Sequence, residues 1–162
     1  MNKSMSTLSE IKLVGIKVRT KNANEMDPQT AKIGPTIGEW FGKQLSEKLS
    51  HRTRPGTTFC VYTEYDSDEH GEYTYFVGEQ VSAFDTVDPS METLTIPASQ
   101  YAQFECGPGP MPQVCINAWQ NLWQMTESDF GGKRSYVADF EIYDERAQDP
   151  SNTSLDIFIG IR

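Results

Sequence analysis

Apolar and polar residues alternate most cleanly between Ser135 and Asp144, in the run Ser-Tyr-Val-Ala-Asp-Phe-Glu-Ile-Tyr-Asp. A period of two, in a segment dense in aromatic and β-branched residues, predicts a strand. Val137, Asp139, Glu141 and Tyr143 then share one face, and Ala138, Phe140 and Ile142 the other. The second is a core face. The first sets a carboxylate beside a tyrosine in mid-strand, so Glu141 belongs either to an open sheet face or to a concave pocket. The pocket is the expectation carried forward.

The rest of the chain alternates between strand and helix periods. Residues 1–9 are polar and expected to be loose, and Ile11–Arg19 reads as a strand. Asn22–Gln29 is a connection. From Thr30 to Leu49, Ile33, Ile37, Trp40, Phe41, Leu45 and Leu49 recur at three and four, the stripe of an amphipathic helix, with Gly34-Pro35 in its first turns. Thr57–Tyr65 and Glu72–Val81 form a hairpin around the acidic turn Asp66–Gly71. Val87–Pro89 is a linker. Thr93–Glu105 is strand broken by Pro97, and Gly107–Pro110 is a turn cluster. Met111–Met125 has helical spacing in Val114, Ala118, Leu122 and Met125, with Trp119 and Trp123 beside them. Asp129–Lys133 is a loop, Asp144–Asn152 a polar turn, and Leu155–Ile161 a closing strand.

Strand, helix, strand, strand therefore occurs twice, in halves of about 10–86 and 90–162 within a single domain of residues 1–162. Tyr62-Thr-Glu-Tyr-Asp66 lies against Phe140-Glu-Ile-Tyr-Asp144 at a shift of 78 residues, and Tyr75-Phe-Val-Gly78 against Ile157-Phe-Ile-Gly160 at 82. Two matches at nearly one offset point to a duplication. On this alignment Thr63 stands where Glu141 stands, so a symmetric cleft would carry its carboxylate on one side only.

Composition narrows the function. A net charge of −9 over 162 residues disfavours phosphate-backbone binding, which needs a basic surface. No stretch approaches the ~20 apolar residues that span a bilayer, and the polar start lacks a signal peptide's apolar run. A cytoplasmic protein is expected. Cys60, Cys106 and Cys115, an odd number without C-x-x-C spacing, read as buried reduced thiols. His51 and His70 lie in polar loops without metal-ligand spacing, and no nucleotide-binding glycine loop or nucleophile elbow is present, so neither metal nor cofactor is expected.

Several runs together resemble the GyrI-like effector-binding domain. They are Gly71-Glu-Tyr-Thr-Tyr-Phe-Val-Gly78, Ile96-Pro-Ala-Ser-Gln-Tyr-Ala-Gln-Phe104, Ala118-Trp119 with Trp123, and Asp139-Phe-Glu-Ile-Tyr-Asp144. That family includes the ligand-binding half of AraC-type transcription activators and stand-alone integron cassette proteins. The resemblance implies an α+β fold: two βαββ modules related by a pseudo-twofold axis, an antiparallel sheet with two main helices, and a central ligand cleft. It places Glu141 on the family's pocket carboxylate and implies hydrophobic, often cationic ligands. No helix-turn-helix is attached, so transcription activation by this chain alone is not expected; a second copy of the chain, in a homodimer, or a regulatory protein is the partner considered.

The residues agree with that implication. A lone carboxylate among aromatic rings can pair with an organic cation, while ring faces add ~0.5–2 kcal/mol each. Glu141 supplies the charge, with Tyr143 beside it. Trp40, Trp119 and Trp123 are candidate walls, and Tyr75, Tyr101 and Phe104 further candidates. The expected function is non-catalytic binding of a lipophilic cation, as a sensor or sink. Two alternatives stand beside it. One is a hydrolase of reactive electrophiles using Glu141 as general acid or base, with Tyr143 or Tyr75 as its partner. The other is a gyrase-inhibitor-like interaction module.

Overall fold

The computed structural model describes residues 1–162. Eight strands, β1 (Asn2–Leu8), β2 (Ile11–Thr20), β3 (Thr58–Thr63), β4 (Tyr73–Gln80), β5 (Glu92–Ile96), β6 (Ser99–Gly109), β7 (Arg134–Tyr143) and β8 (Thr153–Ile161), form one antiparallel sheet in the order β1-β6-β8-β7-β3-β4-β2-β5. Four helices accompany it: α1 (Asn22–Glu25), α2 (Ile33–Gly42), α3 (Gln113–Leu122) and α4 (Glu127–Phe130). β2-α2-β3-β4 and β6-α3-β7-β8 are the two βαββ units, and they meet at the β3–β7 seam.

The first nine residues are not loose. Asn2–Leu8 pairs along its whole length with β6, while β5 pairs with β2, so each half lends a strand to the other. Only Ser9 and Glu10 join β1 to β2, although the two lie near opposite ends of the strand order. Two residues reach about 10 Å at most, whereas strands of a flat sheet sit about 4.8 Å apart. The sheet must therefore curl until its ends approach each other. Its inner face closes on a core of Ile11, Leu13, Phe59, Val61, Phe76, Ile96, Tyr101, Ala138, Phe140, Ile142 and Phe158. The outer face carries two further clusters. Trp40 of α2 packs with Tyr73, Tyr75 and Val77, and Trp119 and Leu122 of α3 pack with Phe104, Leu155 and Ile157.

The helices are shorter than their stripes. The periodicity over Thr30–Leu49 is one helix to Gly42 and a 3₁₀ turn over Leu45–Lys48, separated where Gln44 takes a left-handed φ of 50°. The Asn22–Gln29 connection contains α1. The expected loop before β7 begins with α4, closed by a capping box between Thr126 and Asp129.

Val61 faces Phe140 across the seam, and each pairs onward with a phenylalanine, Phe76 and Phe158. All four meet in the inner core, as a twofold axis between Val61 and Phe140 requires. Tyr62 and Glu141, the next residues, are therefore equivalents. The alignment of Thr63 with Glu141 is one residue out, and in a strand that reverses the face. The cause is local. Glu64 follows β3 with a φ of 51°, and this kink puts an extra residue ahead of Tyr65-Asp66, the pair on which the match rests. Gly78 and Gly160 are also equivalents under this axis. A Cβ on Gly78 would lie 2.2 Å from the carbonyl oxygen of Val14, and one on Gly160 2.8 Å from that of Ala138.

Candidate functional site

The outer face of the seam is polar in sequence but enclosed in space. From β7 come Asp139, Glu141 and Tyr143; from β3 come Cys60 and Tyr62, paired with Glu141 and Asp139 respectively. Glu141 is only 2% exposed. Its Oε2 accepts the Tyr62 hydroxyl and the Trp119 indole N–H, each at 2.7 Å, and its Oε1 accepts the Tyr143 hydroxyl at 2.6 Å. No cation pairs with it among the ion pairs of the protein. A buried carboxylate is usually matched by a positive group; here three neutral donors take that place. Burial, reinforced by the Glu141 charge, holds the Tyr62 and Tyr143 phenols well above their ordinary range, so both keep the protons they donate.

Above this carboxylate lies a cleft of about 310 Å³, bounded by α1, the start of α2, and α3. Its floor is aromatic. Trp119 meets Tyr62 edge-on at 5.0 Å between ring centroids, Tyr62 meets Tyr73 at 5.5 Å, and Tyr73 meets Tyr65 at 5.8 Å. Met26, Ile33, Ile116 and Trp123 add apolar walls, and Asn22, Glu25, Glu69, Cys115, Gln120 and Arg134 complete the lining.

The charges around the cleft are mostly negative. Glu25 and Glu69 line it, and Asp139 and Glu141 lie buried beneath. Arg134 is the one lysine or arginine in the lining. Its Nη2 donates to Asp139 Oδ2 at 2.7 Å, which also accepts the Tyr65 hydroxyl at 2.6 Å. Asp139 Oδ1 takes the Gly160 amide at 2.9 Å. Glu25 is held by the amides of Lys32 and Ile33, at 2.9 and 3.1 Å, and by Thr20.

The structure sorts the expected site residues into three groups. Trp119 and Trp123 line the cleft, Trp123 at its rim with 46% exposure. Glu141 and Tyr143 lie beneath the floor rather than on it. Trp40, Tyr75, Tyr101 and Phe104 do not reach the cleft. Trp40 is the buried face of α2 and packs on Tyr75 in one core cluster, Tyr101 points into the inner core, and Phe104 packs under α3. Strand period turns only Tyr101 to the inner face; Trp40, Tyr75 and Phe104 lie on the outer side but are closed off by the packing of α2 and α3. Sequence reasoning missed Tyr62, Tyr65, Tyr73 and Arg134. Tyr62 had a signal, since it alternates with Phe59 and Val61 on the face that faces out.

Cys60 and Cys106 are buried free thiols as expected, whereas Cys115 is half-buried in the cleft wall. Burial, and next the Glu141 charge, push the Cys115 thiol up, which opposes a thiolate nucleophile there. No group of three or more His, Cys, Asp or Glu side chains converges as a metal site, and no helix is long and apolar enough to cross a membrane.

Known proteins share this fold over nearly its whole length. The Bacillus subtilis (strain 168) protein YobU, named as a transcriptional regulator, is 28% identical over 152 residues, covering 93% of this chain and 92% of YobU. An integron cassette protein from the mobile metagenome of Vibrio cholerae is 28% identical, with a TM-score of 0.77 over 99% of this chain and 95% of its own. SAV2435, solved bound to tetraphenylphosphonium, shares the fold with a TM-score of 0.76 at 15% identity, over 100% of this chain and 94% of its own. The Cass2 family, integron-associated effector binding proteins, matches residues 4–161. With nearly every residue inside that match, this chain belongs to the integron-associated effector-binding family.

Proposed function

We propose that the cleft binds lipophilic organic cations without transforming them, so that the protein serves as a sensor or sink for such molecules. The observation that carries this reading is Glu141, a buried carboxylate with no cationic partner, whose donors Tyr62 and Trp119 are themselves the floor of the cleft. A cation resting on those rings meets their negative faces and, behind them, an unbalanced negative charge. Ring faces contribute ~0.5–2 kcal/mol each to such contacts. Glu25 and Glu69 add to the field at the cleft itself. The tetraphenylphosphonium held by SAV2435 is a ligand of this chemistry in a protein of the same fold.

The geometry argues against the hydrolase alternative. A general base must reach the proton it removes, whereas Glu141 is sealed beneath two rings with both oxygens engaged. The test pairs tetraphenylphosphonium with tetraphenylborate, which share a shape and differ in the sign of charge. Quenching of Trp119 and Trp123 fluorescence should show clearly tighter binding of the cation. Equal affinities would remove the electrostatic basis of the proposal, and recovery of a chemically altered ligand by mass spectrometry would favour the hydrolase.

A further inference from the structure

We infer that the cleft is polar along its length, and that its preferred ligand is a lipophilic cation carrying a neutral hydrogen-bond acceptor, such as an ester or ketone oxygen, at the end away from the charge. This rests on the cation reading of the same cleft and specifies the ligand class further.

The aromatic floor is a track with unlike ends. At one end Trp119 and Tyr62 lie over Glu141. The rings then step through Tyr73 and Tyr65. Tyr65 meets Tyr136 edge-on at 5.5 Å, and the Arg134 guanidinium stacks over Tyr136 with its Cζ 4.4 Å from the ring centroid. A cleft that begins over a buried anion thus ends at a guanidinium.

That guanidinium is under-used. It carries five N–H donors, and Nη2 alone donates to the protein, to Asp139. Nε is buried with no partner at all. Nε is sealed from a ligand as well, whereas Nη1 makes no hydrogen bond to the protein and is not sealed, so it is the donor that a ligand acceptor can meet. Arg134 lines the cleft while its side chain is only 12% exposed, which confines that acceptor to an approach along the track.

Charge decides between a neutral acceptor and a carboxylate. Asp139 is fully buried against Arg134 and already balances it, and Glu69, bonded to the Tyr136 hydroxyl, is a second carboxylate at the same end. A ligand carboxylate would meet two anions and one cation. A carbonyl oxygen meets the donors without that repulsion.

Three dyes with one cationic body test this: tetramethylrosamine, which has no acceptor on its pendant ring, tetramethylrhodamine methyl ester, and the free acid tetramethylrhodamine. Fluorescence anisotropy should give the ester roughly tenfold tighter binding than the rosamine, with the acid weaker than the ester. Arg134→Met should erase the ester's advantage, read as the ratio of ester to rosamine affinity, because the charge left on Asp139 shifts the affinity of both cations alike. Because Arg134→Met strands Asp139, the paired variant Arg134→Met/Asp139→Asn serves if the single one unfolds. Equal wild-type affinity for ester and rosamine overturns the inference whatever the variants do, as does an ester advantage that survives loss of Arg134. If none of the three dyes binds, it is the cation reading that fails.

Discussion

Tyr62 and Glu141 occupy equivalent positions in the two halves, and the hydroxyl of one donates to the carboxylate of the other at 2.7 Å across the pseudo-twofold axis. Where the duplicated fold places one outer-face residue twice, one copy is an acid and the other is the aromatic that shields it. The pair ties the carboxylate to the cleft, because the Tyr62 ring that covers Glu141 is also part of the cleft floor.

Glu141→Gln should weaken tetraphenylphosphonium binding by about tenfold to a hundredfold, the range of a charge-assisted contact worth roughly 1.5–3 kcal/mol. Neutral apolar ligands should bind nearly as before. The amide oxygen can keep Tyr62 and Trp119, and its NH₂ can donate to a reoriented Tyr143 hydroxyl. Stability should hold or rise slightly, because no carboxylate has to be desolvated. Calorimetry on both forms measures affinity and melting together, and a cation affinity unchanged by the substitution would count against Glu141.

Tyr62→Phe keeps the ring and removes the bond. If Glu141 acts through the floor, cation affinity should fall several-fold, and the effect should shrink in a Glu141→Gln background, a coupling that a double-mutant cycle reads directly. Direct contact between ligand and carboxylate gives the opposite sign. Freeing a lone pair on Oε2 would then strengthen cation binding.

Alkaline pH should unfold the protein cooperatively. All seven tyrosines titrate above their ordinary value of 10, chiefly through burial; Tyr101 and Tyr136 are pushed up to about 12, and Tyr62, Tyr65, Tyr75 and Tyr143 well above 10. Above pH 10 the unfolded chain holds fewer protons than the native one, so stability falls as pH rises. The contribution is complete below pH 10 and is lost through the folded values. Absorbance at 295 nm should show no native phenol ionising near pH 10, and a joint ionisation that coincides with loss of circular dichroism. Independent titration of several tyrosines at pH 10 in the folded protein would contradict the burial described.

Away from the cleft, Glu79 is buried on β4 and held by Arg52 through two bonds of 2.9 Å, with the Gly56 amide at 3.3 Å. Arg52→Met leaves that carboxylate unpaired and should cost about 3 kcal/mol. Adding Glu79→Gln should recover much of the loss, because the charge that needed a partner is gone. Urea denaturation of the three proteins decides, and cation affinity should stay unchanged throughout.

The βαββ repeat and the two faces of β7 were legible because they depend on local periods. Alternation in Ser135–Asp144 put Ala138, Phe140 and Ile142 in the core, and all three are there. Helical spacing found α2 and α3 but overran their ends, since spacing continues through a left-handed turn such as Gln44 that stops the helix. β1 was invisible. Asn2–Leu8 is a polar edge segment whose strand conformation comes from pairing with β6, about a hundred residues away.

The sequence by itself offered the residue types found around the cleft: carboxylates in an otherwise apolar strand and tryptophans on a helix, although it singled out Glu141 where β7 buries Asp139 as well. These follow from composition and period, which are properties of neighbouring residues. Only the tertiary structure decided that Tyr62, rather than Thr63, is the counterpart of Glu141, that Tyr101 and Phe104 are core, and that Arg134 closes the far end of the aromatic track. The extra residue at Glu64, just past the end of β3, puts the alignment of the two halves one position out, and the curl of the sheet decides which face encloses a core and which a cleft. Both depend on pairings between residues far apart in the chain, where local pattern carries no information.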